Sequence, residues 1–208
     1  LRPIAVAGPD QTVCADHTGR ANVTLDGSAS SDFEGEPLSY RWTWSANGQD
    51  CNSTDPSFTI DLPVGTYTFT LVVNDGTWDS EPSTCTVTVF PPMRASFVLS
   101  LAVINAKSRG GAVTALMTIP GITRNELDPA SKLTLWPFGL EARRQLAYNF
   151  RSGGRQYVII IAWFDRQAII DAVPKTRYVP VKAETRLTDG CYVVGQGGML
   201  VFYPPKGR

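Results

Sequence analysis

The sequence predicts an all-β protein made of two tandem β-sandwich domains. Its 208 residues suffice for two domains of about 100 residues each. Apolar residues make up 43%, so each half can bury a core, yet the apolar runs stay short and are punctuated by 18 glycines and 15 prolines. Within those runs apolar and polar residues alternate, which is the period of a strand with one buried face.

The alternation is clearest in the first ninety residues. Val23-Thr-Leu25 runs into the turn pair Asp26-Gly27. In Tyr40-Arg-Trp-Thr-Trp44 the three aromatic rings share one face, and Arg41 and Thr43 share the other. Ala46-Asn47-Gly48 supplies a hairpin turn, because Asn and Gly tolerate positive φ. Phe58–Leu62 alternates again. After Pro63-Val-Gly65, the residues Tyr67, Phe69, Leu71 and Val73 point one way, with Thr66, Thr68, Thr70 and Val72 the other. Asn74-Asp75-Gly76 ends that strand and Thr84–Phe90 forms the last one. Seven short strands in about ninety residues is a sandwich pattern.

Several blocks here resemble a bacterial PKD (polycystic-kidney-disease repeat) domain. They are Ala7-Gly-Pro-Asp-Gln-Thr-Val13, Val23-Thr-Leu-Asp-Gly-Ser-Ala-Ser-Ser-Asp32, Pro37-Leu-Ser-Tyr-Arg-Trp42, Leu62-Pro-Val-Gly-Thr-Tyr67 and Leu71-Val-Val-Asn-Asp-Gly76, followed by Thr86-Val-Thr-Val89. The resemblance implies an immunoglobulin-like sandwich over residues 1–90. In such sandwiches the first and last strands pair, so a Cys14–Cys85 disulfide is expected. A loop of that size would contribute roughly 4 kcal/mol in the chain-entropy model. Pairings 14–51 and 51–85 remain open alternatives.

Residues 91–93 read as a short, stiff proline hinge, and 94–208 as a second β-sandwich. Strands are expected at 97–104, 112–119, 133–136, 142–150, 157–163, 179–186 and 199–203, with turns at Arg109-Gly110-Gly111 and Ser152-Gly153-Gly154. Thr123-Arg-Asn-Glu126 is a capping box. Asp165 caps a helix over Arg166–Val173, which Pro174 ends. Gly195-Gln-Gly-Gly198 reads as a tight turn before the last strand. This half resembles a β-sandwich module of large bacterial surface proteins, through Val103–Gly111, Trp163–Ile170 and Glu184–Gly190.

The net charge of zero conceals a division between the halves. Residues 1–91 hold three basic and twelve acidic side chains, a net of −9, and residues 92–208 carry +9. Such asymmetry bears on partners rather than on fold. It predicts copies associating head to tail, the acidic first domain of one against the basic second domain of the next. Ile4-Ala5-Val6 is the segment expected to add to a neighbour's sheet edge. Cys51 and Cys191, one on each domain, are candidates for an intersubunit bond.

Other chemistry is thinly supported. Asp32, Glu34 and Glu36 surround Gly35 with hard oxygen ligands that suit Ca²⁺. Asn22 and Asn52 lie in glycosylation sequons. The chain is expected not to be an enzyme: His17, the only histidine, lies in a turn, and no acid pair stands out. No other cofactor is expected. Arg143, Arg144, Arg151 and Arg155 cluster around Tyr148, Phe150 and Tyr157, but a secreted chain rarely meets nucleic acid, so no nucleic-acid partner is expected. Trp78, in a turn, is the ring best placed to stack on a surface glycan. No run is long enough to span a bilayer, and the start at Leu1 reads as a processed or trimmed form. These observations predict an extracellular or cell-surface structural protein: a surface-layer, adhesin or filament subunit. The alternative is an accessory carbohydrate- or protein-binding module of a larger secreted enzyme.

Overall fold

A computed structural model describes residues 1–46, 48–99, 103–105, 111–173 and 178–202. The expectations for Asn47, for the turn at Arg109-Gly110, for Pro174 and for the chain from 203 onward lie outside these residues. So does the stretch 100–102 of the first strand expected in the second domain. The chain divides into two compact units, Leu1–Pro91 and Pro92–Arg208.

The described residues of the first unit form seven strands: β1 (Gln11–Cys14), β2 (Arg20–Asp26), β3 (Ser39–Ala46), β4 (Gln49–Ser53), β5 (Ser57–Pro63), β6 (Gly65–Asn74) and β7 (Ser83–Phe90). Five form a sheet in the order β1-β7-β6-β3-β4, and β2-β5 form a second sheet. The alternation read from the sequence places the core. Trp42, Phe69, Leu71 and Val73 are fully buried, together with Leu25 and Leu62 from the smaller sheet. Each such side chain contributes about 1.5–3 kcal/mol by leaving water. Trp44 is half-buried, stacked on Phe58 and tilted against Phe69 at ring separations of 5.5 and 5.3 Å. The opposite face of the larger sheet carries threonines in register, Thr66 beside Thr88, Thr68 beside Thr86 and Thr70 beside Thr84.

The described residues of the second unit form nine strands: β8 (Met93–Leu99), β9 (Val103–Asn105), β10 (Ala112–Pro120), β11 (Thr134–Trp136), β12 (Leu140–Glu141), β13 (Arg144–Ser152), β14 (Arg155–Asp165), β15 (Tyr178–Arg186) and β16 (Tyr192–Phe202). All nine belong to one hydrogen-bonded sheet, ordered β12-β11-β15-β16-β8-β10-β14-β13, with β9 on β16. The terminal strands β12 and β13 are consecutive in the chain. Ala142 N–H donates to Leu133 O and Arg143 N–H to Trp163 O, each at 2.9 Å, so the sheet curls round its own core of Met117, Ile119, Leu133, Leu135 and Ile160.

Of the two expected helical segments, one is an α-helix and the other a single 3-10 turn. Asp165 caps α1 (Arg166–Ala172) by accepting from Gln167 N–H at 2.7 Å and Ala168 N–H at 3.1 Å. The hydrogen bond from Ala168 is the main reason its carboxyl titrates below the usual range. Thr123 and Glu126 form the expected capping box round the 3-10 turn Arg124–Glu126.

Gly195–Gly198 is not a turn; it lies inside β16, between β15 and β8. The glycines make room for an aromatic ring. A Cβ on Gly195 would stand 2.5 Å from Phe97 Cβ, and one on Gly197 2.9 Å from the Phe97 ring. Since the first clash is with a Cβ rather than a mobile side-chain end, the strands themselves must give. Gly195→Ala is therefore expected to cost about 1–3 kcal/mol by overpacking. Urea denaturation of the variant against the parent checks this, and an unchanged midpoint contradicts it.

Candidate functional site

The expected disulfide fails on register. β1 and β7 do pair, in parallel, but Cys14 stands opposite Phe90, five residues beyond Cys85. Phe90 is half-exposed on the outer face, whereas Cys85 is 1% exposed with Val87 and Val89 in the core. The two sulfurs thus point to opposite sides of the sheet, and five residues of strand span about 16 Å, far beyond disulfide reach. Cys85 is a free thiol, and burial pushes its ionisation up. Cys51 is also free, its Sγ–H directed at Gln49 O at 3.7 Å. Cys14 and Cys191 are both disulfide-bonded, so Cys191 is not the spare thiol the sequence suggested.

The acidic turn does not gather its carboxylates. Asp32 Oδ2 accepts from the backbone N–H of Glu34 at 2.7 Å and of Glu36 at 3.2 Å, which folds the turn on itself and leaves both glutamates exposed. Among the described residues no three His, Cys, Asp or Glu side chains converge as a metal site. The calcium expectation is corrected accordingly. Ile4–Val6 is likewise engaged at home. Ile4 N–H and C=O both pair with Ser31, at 2.8 and 3.0 Å, and Val6 N–H donates to Ser30 Oγ at 3.0 Å. These bonds occupy one edge of the segment, the edge that Ile4 and Val6 share. Asn22 on β2 and Asn52 on β4 are exposed.

The acidic turn instead belongs to a tip. Ser39, which opens β3, pairs with Asn74, which closes β6, so residues 32–38 and 75–82 emerge at the same pole of the first domain. Asp75 Oδ1 accepts from Thr77 N–H at 2.7 Å and Trp78 N–H at 2.6 Å, fixing the second loop as Asp32 fixes the first. These bonds hold the Asp75 carboxyl below its ordinary range. Each loop exposes an aromatic ring among carboxylates: Phe33 is 86% and Trp78 54% exposed. Tyr40 and Trp42 lie inward, so Trp78 is the accessible tryptophan the sequence suggested.

Domain 1 neutralises its own arginines. Arg2 pairs with Glu81 at 2.7 Å, Arg41 with Asp79 at 3.4 Å, and Arg20 with Asp61. Glu34 pairs with the N-terminal ammonium at 2.8 Å, so Asp32, Glu36 and Asp75 are left to dominate the charge of the tip.

On the second domain, the arginines singled out in the sequence divide between surfaces. Arg143 pairs with Asp165. Arg151 Nε–H donates to Gln156 at 2.9 Å. Arg144 lies 5.5 Å over the Trp163 ring. Phe150 and Tyr157 are tilted together at 6.3 Å. Elsewhere on this domain a groove of about 320 Å³ is lined by Lys132, Glu141, Glu184, Arg186 and Tyr192, with Lys132 and Glu141 3.8 Å apart.

The fold defines a class: an immunoglobulin-like sandwich followed by a second β-rich domain. Residues 7–89 match the family described as K319L-like, PKD domain. No curated protein matches the chain. Similar solved structures include a 1.5-MDa bacterial ice-binding adhesin, at 12% identity over 98% of this chain and 65% of that one, with a TM-score of 0.37. The chicken CNTN1 FN1-FN3 domains are 10% identical over 96% of this chain and 66% of theirs, TM-score 0.36. The Bacteroides ovatus mixed-linkage glucan protein SGBP-B, solved with a heptasaccharide, is 12% identical over 97% and 48%, TM-score 0.30. The chain spans no more than about two thirds of each. Among the described residues no helix is long and apolar enough to cross a membrane.

The thiol assignments make a direct prediction. In the native protein a soluble alkylating reagent should label Cys51, while Cys85 should react only after unfolding. Cys14 and Cys191 should react only after reduction. Peptide mapping reads each site, and labelling of Cys14 in unreduced, denatured protein is the contrary result.

Proposed function

We propose that this chain is a non-catalytic structural module of an extracellular assembly, in which copies associate head to tail as in a surface layer, adhesin or filament. The observation that carries this reading is the division of charge, −9 on residues 1–91 and +9 on residues 92–208. The internal pairing of Arg2, Arg20 and Arg41 supports it, since it leaves the remaining acids of the first domain without a basic neighbour of comparable number. The PKD-type first domain fits a module of this kind. Opposite patches on two different domains form a heterologous contact, which repeats into a filament unless its rotation closes a ring.

An interface with such a charged component weakens with salt, because exposed charges are screened over about 8–10 Å at 0.1–0.15 M. Light scattering across a concentration series should therefore show growth at about 20 mM salt that falls steeply toward 0.5 M, with ordered polymers in negative stain. A chain that stays monomeric at high concentration and low salt overturns the proposal.

A further inference from the structure

Over β8, β10, β14 and β13 the sheet of the second domain carries apolar side chains on both faces. Its inner face carries the buried cluster that includes Val158, Ile160 and Ala162 on β14. The alternate residues of the same strands point outward, and register aligns them in rows. Val98, Leu116, Ile161 and Leu146 form one row across β8, β10, β14 and β13. The neighbouring row runs from polar Ser96 and Thr118 to Ile159 and Tyr148, and the next joins Pro120, Tyr157 and Phe150, the last two rings 6.3 Å apart. Exposure is substantial: 60% for Val98, 41% for Leu116, 50% for Tyr148 and 48% for Phe150. Four strands at about 4.8 Å spacing make this patch about 14 Å across. Arg144 and Arg155 flank it at opposite ends of the β13–β14 hairpin, and Arg94 lies on the same side of β8.

An apolar patch of this breadth on a monomer's surface marks an interaction site. Its rim specifies the occupant. A strand exposing Tyr148 and Phe150 beside arginines fits an apolar knob ringed by carboxylates. The first domain has one in Phe33 and Trp78, set among Asp32, Glu34, Glu36 and Asp75. Both loops are held in shape by their own aspartates, so little ordering entropy is lost on docking. The chain leaves the first domain at Phe90. β6 runs the length of the sheet from Gly65, beside Val89, to Asn74, beside Ser39, so the tip is the pole opposite that exit.

Resting on the head-to-tail reading above, we infer that the interface is the Phe33–Trp78 tip of one copy seated on the Val98–Leu116–Tyr148–Phe150 face of the next. Aromatic anchors at the centre of an interface dominate its affinity, and a charged rim sets orientation and encounter rate.

The test uses two variants of the full chain, Phe33→Ser/Trp78→Ser and Tyr148→Ser/Phe150→Ser. All four positions are substantially exposed, so thermal midpoints should stay near the parent's. If the second variant unfolds, Arg144→Glu/Arg155→Glu replaces it. Sedimentation velocity at low salt should show the parent assembling and each variant alone weakened by about tenfold or more. An equal mixture of the two variants should form a 1:1 complex and nothing longer, because each supplies the half the other lacks. Variants that assemble like the parent overturn this interface and leave head-to-tail assembly standing. Variants that stay monomeric even when mixed overturn the complementarity. A parent that never assembles overturns the interface and the reading beneath it together.

Discussion

Strand register places nearly every side chain that matters in this protein. Side chains alternate across a strand, so a shift of one residue exchanges the core face for the solvent face. In the first domain the pairing of Val89 with Gly65 and of Leu71 with Ser83 puts Phe69, Leu71 and Val73 inside and the threonines of β6 and β7 outside. The same register sends Cys85 inward and Cys14 outward. In the second domain it sorts β14 into a buried set at 158, 160, 162 and 164 and an outward set at 157, 159, 161 and 163. The outward set is apolar as well, and the proposed interface rests on that departure from ordinary half-buried strands.

The two domains solve the problem of surface charge differently. The first couples each of its few arginines to a carboxylate and gathers other acids on loops tied down by Asx-type hydrogen bonds. The second keeps arginines at the borders of an apolar sheet face, one of them stacked on Trp163. Charge on the rim and aromatic rings at the centre is the usual division of labour in a protein–protein interface. Here the two halves of that arrangement lie on different domains of one chain, which permits each copy to offer one and accept the other.

Much of this fold was legible in the sequence, and the failures have physical reasons. Alternation alone grouped Tyr40 with Trp42 and Trp44, and Tyr67 with Phe69, Leu71 and Val73, because strand periodicity is local, and the structure turns both groups inward. The helix at Arg166–Ala172 and the Thr123–Glu126 box were legible because caps are short-range hydrogen bonds. Cys14 and Cys85 were misjudged because register joins residues 71 positions apart and leaves no trace in either strand. Gly195–Gly198 was misread because glycine ordinarily signals a turn, while its role here is to admit Phe97 from another strand. The carboxylates at 32, 34 and 36 looked like ligands, but a carboxylate two residues before a backbone N–H closes a turn more readily than it waits for a metal. Of the tip residues, Trp78 was legible as an exposed ring; Phe33 was not, since a lone phenylalanine ordinarily reads as core.

The central claim is a contact between the acidic tip of one copy and the basic, apolar sheet face of another. Its most direct test is zero-length carboxylate–amine crosslinking of an equal mixture of ¹⁴N- and ¹⁵N-labelled chains at low salt, read by mass spectrometry. The account predicts crosslinks from Asp32, Glu34 or Glu36 to Lys182, on a strand of the same second-domain sheet, with mixed-isotope pairs as abundant as single-isotope ones. Crosslinks from these carboxylates to Lys182 confined to single-isotope pairs would place the contact within one chain and contradict it.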